Sequence, residues 1–312
     1  MPSHLKPFLA NIESEVQERF YGCGSPIPSA LEGCTILDLG CGTGRDVFLA
    51  SQLVGPKGRV IGIDMTEQQI EVAKKYVDTH MKRFGYKKSN VEFHHGYIED
   101  LAGAGIKDAS VDVVISNCVL NLSASKDKVF SEIVRVLKPG GELYFSDVFA
   151  DRRIPTELMN DEVLLGECLS GAMYLEDFRR MMLDLNVRDI RTVSSSVIDI
   201  SDDEVQRKVG ATRFFSKTIR AFKLDNLEDQ CEDYGQFVAY QGGVEECPGA
   251  FVLDDHHVFE IARPMAVCGN TAAMLENTRY AKYFKVQGDR KIHFGLFDCS
   301  GDSSVSQEEP CC

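Results

Sequence analysis

The stretch from Thr35 to Thr66, TILDLGCGTGRDVFLASQLVGPKGRVIGIDMT, constrains the fold more than any other part of this chain. An apolar run, TILDL, leads into a turn with glycines at 40, 42 and 44. A helical pattern follows from Asp46, Gly55-Pro56-Lys57-Gly58 turns the chain, and a second apolar run ends at Asp64. Strand, glycine turn, helix and strand in this order make a βαβ unit, whose two strands must lie parallel. The turn glycines let backbone amides approach a ligand closely, and the helix N-terminus behind them adds partial positive charge. A carboxylate closing the second strand is placed to accept both ribose hydroxyls of an adenosine. Together these features predict a site for an adenosine-containing cofactor.

Two cofactor types compete for that site. A dinucleotide turn calls for a third glycine at position 45, where the helix must approach a pyrophosphate; here the residue is Arg45. S-adenosylmethionine has no pyrophosphate, and its amino-acid end suits an acid such as Asp38 together with the turn amides. Ligands of open α/β sheets sit outside the carboxyl ends of the strands. The predicted contacts are therefore Asp38, Gly40, Cys41, Gly42 and Gly44, then Asp64 and Met65, then Ile98 and Glu99, then Asn117 and Val119. Met65 and Ile98 are flat apolar partners for an adenine ring.

The rest of the chain extends the same pattern. Apolar residues from Leu5 to Phe20 fall at helical spacing and predict one N-terminal helix ending near Tyr21. Thr66-Glu67-Gln68-Gln69 reads as a capping box before a helical face of Ile70, Ala73, Val77, Met81 and Phe84, with Gly85 as its stop. Strands are expected over 91–94, 111–116 and 142–148, and a helix around Val129–Leu137 ended by Pro139-Gly140-Gly141. Five strands separated by helices mean a parallel sheet covered on both faces. Two further strands, over 189–198 and 213–223, complete a seven-stranded sheet, with a cover segment over 151–175 and a helix over 176–185. The expected division is 1–223 for this domain, 224–298 for a small β-rich C-terminal domain with a helix over 271–284, and 299–312 for a flexible tail.

A net charge of −14 and a pI near 5.0 repel phosphate backbones, which argues against nucleic acid as a partner. The longest apolar runs fall short of the roughly 20 residues of a membrane span, and the N-terminus lacks a secretion pattern. The chain is therefore expected in the cytoplasm, as a monomer, with its thiols reduced. Eleven cysteines is a high count under those conditions. No C-x-x-C pair or cysteine–histidine spacing suggests zinc. Cys118 follows the fourth strand, where the methyl acceptor of such a fold would lie. Cys168 lies in the cover segment, and Cys23 precedes the first strand. Three converging thiols would suit a soft, thiophilic element, but spacing alone does not decide whether they converge.

The run LDLGCGTG resembles motif I of the class I S-adenosylmethionine-dependent methyltransferases, which have a Rossmann-like fold, and Leu137-Lys138-Pro139-Gly140-Gly141 resembles their later signature loop. More specifically, EVQERFYGCG, ILDLGCGTGRDV, GIDMT, HHGYIEDL, ISNCVLNL, KPGGELYFSDV and GECLSGAMY resemble the arsenite S-adenosylmethionine methyltransferases, from about Pro7 to Phe284. The resemblance implies arsenite methylation for detoxification, giving mono- and dimethylated arsenicals. It also implies that Cys118 and Cys168 hold trivalent arsenic, with Cys23 as a further thiol in disulfide chemistry. Thioredoxin or glutathione would then be the thiol reductant. In-line attack of the arsenic lone pair on the sulfonium methyl needs no general base, because arsenic carries no proton. Family members usually carry an upstream segment with a tyrosine pair over the cofactor and a fourth cysteine. This chain begins beyond it, so the expectation is either a truncated sequence or a cofactor pocket that lacks part of its wall. The alternatives are a methyltransferase of a small organic acceptor, which would not need the cysteines, or a metalloid-binding protein with weak or no turnover.

Overall fold

The computed structural model describes residues 2–298 apart from 23, 160, 162 and 165–167. The expected flexible tail 299–312, with Cys311 and Cys312, lies outside the described residues, as does Cys23.

The apolar runs form the predicted strands. They are β1 (Thr35–Leu39), β2 (Arg59–Asp64), β3 (Val91–His95), β4 (Val111–Asn117), β5 (Leu137–Ala150), β7 (Ile190–Ile198) and β8 (Phe214–Phe222), while the two-residue β6 (Met173–Tyr174), within the cover segment, is an eighth strand that the sequence did not announce. The main sheet has the order β3-β2-β1-β4-β5-β8-β7, with β6 paired alongside β5. Only β8 runs against the rest, pairing antiparallel with both β5 and β7. The reversal of strand order on either side of β1 opens a crevice between β1 and β4, where such folds bind ligands.

Strands β1 and β4 carry near-continuous Leu, Ile and Val because both faces of the sheet are covered. Helices Lys126–Val136 and Leu175–Asp184 pack Phe130, Ile133, Phe178 and Met182 on one face. Helix Arg45–Val54, the pair Glu67–Lys75 and Val77–Phe84, and the N-terminal segment cover the other. This is the class I methyltransferase architecture expected from the sequence.

Three local expectations fail for definable reasons. The N-terminal helix is broken into Lys6–Leu9 and Ser14–Glu18. At the break the backbone N–H of Glu13 donates to His80 Nε2 (3.0 Å), and the Gln17 side chain donates to the carbonyls of Leu9 and Ile12. Tertiary partners have replaced the helical ones. The capping box does not form, since Thr66 makes no side-chain cap and its N–H donates instead to Asp64 Oδ1 (2.8 Å). The helix expected over 271–284 stops at Glu276, where Thr278 Oγ1 donates to the Met274 carbonyl (2.6 Å) and turns the chain.

The His80 contact sets a pH dependence. Burial, then the nearby Arg83 charge, lowers its pKa from 6.5 to about 4, so the ring stays neutral in the folded protein and accepts from Glu13. The unfolded chain protonates this histidine first as pH falls, so the stability it contributes is complete above about pH 6.5 and declines towards pH 4. In His80→Phe, the urea midpoint should start lower and lose less between those pH values than in the wild type. Equal slopes would remove His80 from the account.

The C-terminal region adds a second core. Strands β9 (Glu232–Asp233), β10 (Gln236–Tyr240), β11 (Ala250–Val252), β12 (Val258–Glu260), β13 (Met265–Val267), β14 (Phe284–Gln287) and β15 (Gly295–Leu296) form one three-stranded sheet, β13-β10-β14, and two short pairs. Tyr240, Phe251, Phe259, Tyr280 and Phe284 pack beneath helix Gly269–Glu276. A buried network ties this core to the main sheet. Glu142 of β5 accepts from Arg220 of β8 (2.5 Å) and from Tyr280 (3.1 Å), and pairs with Arg279.

Candidate active site

Two adjoining cavities open at the carboxyl ends of the strands. The larger, about 190 Å³, is lined by Gly40 after β1, Asp64 and Met65 at the end of β2, Ile98 and Glu99 after β3, and Val119 after β4. The same wall includes Gly96 and Tyr97 of the expected turn after β3, whereas sequence reasoning missed Thr66, Leu122 and Ser123. The smaller is lined by Asp38, Gly40, Cys41, Gly42 and Asn117, all expected, together with Phe20, Tyr21 and Asp46, which were not. Asp46 could have been read from its place in the first turn of the helix behind the glycines. The position of Phe20 and Tyr21 carries no such signal, because only the folded N-terminal segment brings them to the turn.

The turn is held open by geometry that requires glycine. Gly40 has φ +69, and a Cβ there would collide with the Val119 side chain. Gly42 donates its N–H to Asp64 Oδ2 (2.8 Å), so the carboxylate that ends β2 is anchored to the turn it faces. With Thr66 on the other oxygen, Asp64 has used two of its roughly four acceptor positions and keeps the rest for a ligand. Gly44 lines neither cavity. At φ +87, its missing Cβ leaves room for Phe93 and Phe48 to pack under the turn. Ile98 is buried, whereas Met65 is 66% exposed on the opposite lip.

Asp38 is a buried acid of the smaller cavity, which Arg19, Arg45 and Asp46 also line. Burial, reinforced by the neighbouring carboxylates of Asp46 and Asp64, pushes its pKa well above the usual carboxylate value. Arg45, the residue that replaces a dinucleotide-type glycine, is bonded to Asp46 (2.7 Å) and lies over the Phe20 ring. With Arg45 paired to Asp46, Asp38 is the acid of this cavity left to meet a ligand's cation, such as an amino-acid ammonium.

Cys118 and Cys168 come together beside these cavities. Cys168 Sγ lies 3.9 Å from the Cys118 carbonyl oxygen, and both residues are buried. Both have left-handed backbones, φ +56 at Cys118 and φ +58 at Cys168, which is uncommon for non-glycine residues and marks positions held by their surroundings. The two loops dock closely: a Cβ on Gly171 would strike the Asn121 carbonyl. Asn121 is pinned in turn, its N–H donating to Asp147 Oδ2 (3.1 Å) and its amide to the Val148 carbonyl (2.6 Å). Burial raises Asp147 to about 7, opposed by the N–H groups of Val148 and Asn121.

Cys118 is disulfide-bonded in this structure. Cys23 itself is not described, but its neighbours are. Gly24 N–H donates to Asn117 Oδ1 (3.1 Å), and Asn117 Nδ2 donates back to the Gly24 carbonyl (3.0 Å). A Cβ on Gly22 would come within 2.7 Å of the Asn117 amide. The residue preceding Cys118 therefore clamps the backbone on the far side of Cys23.

A glycine turn tied to an acid at the end of β2, with cavities along the strand ends, defines an S-adenosylmethionine-dependent methyltransferase. Residues 30–207 match the methyltransferase domain family, and residues 234–310 match the arsenite methyltransferase C-terminal domain. An arsenite methyltransferase of Aquipseudomonas alcaligenes is 50% identical over 100% of this chain and 92% of its own length. That of Homo sapiens is 44% identical over 92% of this chain and 76% of its own length. A crystal structure of an arsenic(III) S-adenosylmethionine methyltransferase from Chlamydomonas reinhardtii has a TM-score of 0.93 at 48% identity, covering 96% of this chain and 100% of that one. The chain belongs to the arsenite methyltransferases.

Proposed function

We propose that this enzyme holds trivalent arsenic on Cys118 and Cys168, with Cys23 as third thiol, and methylates it to mono- and dimethylated products. The observation that carries this reading is the approach of Cys168 to Cys118, both buried and conformationally constrained, next to Val119 on the wall of the larger cavity. The proposed domain limits are 1–223, 224–298 and 299–312, with 151–175 as the cover.

Asp64, Met65, Ile98, Glu99 and Val119 would hold the adenosine of S-adenosylmethionine, and Asp38, Gly40, Cys41, Gly42 and Asn117 its amino-acid end. Gly44 supports the turn from beneath. When bound, the cofactor supplies an electrophilic methyl group to the arsenic lone pair and departs as the neutral thioether. The chain's own residues do the remaining work. Each thiol loses its proton to an arsenic-bound hydroxide, which leaves as water, so an As–S bond replaces an As–O bond. Because thiolate is the attacking form and an ordinary thiol has a pKa of about 8.5, the rate of arsenic exchange rises towards that pH, whereas the affinity does not, since each thiol proton leaves in the displaced water. Fixed thiolates hold the lone pair in line, and such positioning is worth about 7–11 kcal/mol. Two thiolates then return the two electrons that arsenic has formally lost, becoming a disulfide. Thioredoxin or glutathione reduces that disulfide, in a cytoplasmic setting where this is sustained. A disulfide at Cys118 is consistent with the oxidised end of such a cycle.

The test combines the purified chain with S-adenosylmethionine, arsenite and a thiol reductant, and separates the arsenic species by chromatography. Methylarsenicals should accumulate. In Cys23→Ser the rate on arsenite should fall about tenfold or more, as for loss of one bond worth about 1.4 kcal/mol. The rate on an already methylated arsenical, which has one fewer position to fill, should fall much less. Equal losses on both substrates would eliminate the third-thiol role.

A further inference from the structure

A second pair of thiols lies outside the site described above. Cys231 leads into β9, and Cys268 caps helix Gly269–Glu276. The two side chains are hydrogen-bonded to each other. Cys268 Sγ accepts the Thr271 N–H (3.5 Å), contacts Thr271 Oγ1 (3.3 Å) and accepts from Arg191 Nη2 (3.7 Å). Arg191 belongs to β7 and is held by Asp189 (2.6 Å) and Asp254 (3.1 Å), while Asn270 donates to Asp189 (3.0 Å). The pair therefore sits at the seam between the edge of the main sheet and the C-terminal region. Cys268 is fully buried and Cys231 half-buried, which leaves one route of approach, from the Cys231 side.

The surroundings narrow the ligand. Zinc wants four donors, or three and a water. Among the described residues the one grouping of three potential metal ligands is Asp254, Asp255 and His256, which contains neither thiol. A guanidinium 3.7 Å from Cys268 also opposes a dication. A trivalent arsenic bearing one carbon substituent has two exchangeable positions, prefers sulfur, and ends neutral once both are filled.

We propose that Cys231 and Cys268 form a second arsenical site, which takes a trivalent arsenical carrying one organic substituent. The choice of arsenic rests on the function proposed for Cys118 and Cys168. Binding breaks two As–O bonds and forms two As–S bonds; the Cys231 proton leaves with one hydroxide as water, the hydroxide displaced by the Cys268 thiolate takes its proton from solvent, and no oxidation state changes. Exchange begins at the half-buried Cys231 and closes on Cys268. The hydrogen bond from Cys231, then the Arg191 charge and Thr271, outweigh burial and lower the Cys268 pKa from 9.0 to about 5. Cys268 is thus in the nucleophilic thiolate form at neutral pH. The product of a first methyl transfer has this valence, so the site would retain it on the enzyme.

The probe is phenylarsine oxide, with the full-length chain in which Cys23, Cys118, Cys168, Cys299, Cys311 and Cys312 are all replaced by serine. Far-UV circular dichroism and a melting curve check that the chain still folds. One phenylarsine per chain should bind, seen by native mass spectrometry, with two thiols withdrawn from a chromogenic thiol reagent. A peptide map should place it across the segments holding Cys231 and Cys268. Adding Cys231→Ser or Cys268→Ser should weaken binding by about 10²–10⁴-fold, the cost of losing one of two linked bonds, whereas Cys247→Ser should leave it unchanged. No adduct on a folded chain, an adduct that survives Cys231→Ser, or loss of two hydrogens without arsenic would each overturn the proposal. Its fate is separable from that of the active site. Arsenite turnover by the wild type without this adduct sinks only the second site, and the adduct without turnover sinks only the proposed function.

Discussion

Cys118→Ser and Cys168→Ser should each cut arsenite methylation by about 10²-fold or more, with S-adenosylmethionine affinity nearly unchanged. A serine hydroxyl keeps the size of the thiol but is a poor ligand for a soft element. Arsenic left on the remaining thiols would lose its fixed direction towards the methyl group, and a displacement of about 1 Å in a positioned reaction costs about that factor. The cofactor cavities are lined by Asp64, Ile98 and Asp38 rather than by these thiols, so calorimetry should find the donor still bound. Arsenic speciation measures the rate. Wild-type rates in either variant would dismiss these cysteines and favour an organic methyl acceptor. A donor affinity that falls as far as the rate would mean that the substitution damaged the cofactor pocket instead.

Glu142→Gln should be the most destabilising conservative change in the chain. Burial raises the carboxyl pKa, but the guanidinium groups of Arg279 and Arg220 outweigh it and hold Glu142 below its ordinary value of 4.5. Arg220 is buried and donates to the Val252 and Leu253 carbonyls, and Arg279, from the C-terminal region, is largely covered. A neutral amide leaves two desolvated cations without a countercharge, at a cost of about 3–5 kcal/mol. Thermal unfolding should fall by roughly 10 °C. The stability contributed by this carboxylate is present above the unfolded pKa of 4.5 and is lost as pH falls through the lower folded value. Glu142→Gln should therefore sit below the wild type at neutral pH, and the gap should close in acid. A loss under about 1 kcal/mol at pH 7 would mean that the network is solvated.

The predicted strand ends and loop residues were legible because each was a local property. Gly40 and Gly42 announce a turn, Asp64 closes a continuously buried apolar strand, and Ile98 follows β3. What escaped was set by contacts distant in sequence. The N-terminal helix broke because His80, 67 residues away, takes the N–H of Glu13. Phe20 and Tyr21 reach the smaller cavity by the same folding of that segment. The pairing of Cys231 with Cys268 has no spacing signature, since neither residue lies in a short repeat.

From the sequence alone, the methyl donor and the sheet that carries it followed, because a glycine turn and a strand-ending acid are short-range features with one common geometry. The family resemblance added arsenic. Only the tertiary structure brought Cys168 to the Cys118 carbonyl, since the cover segment packs on the β4 loop where Gly171 has no side chain to obstruct Asn121. It alone decided which thiols are neighbours, because convergence across 50 residues depends on how two loops pack, and packing is not encoded in the spacing between them.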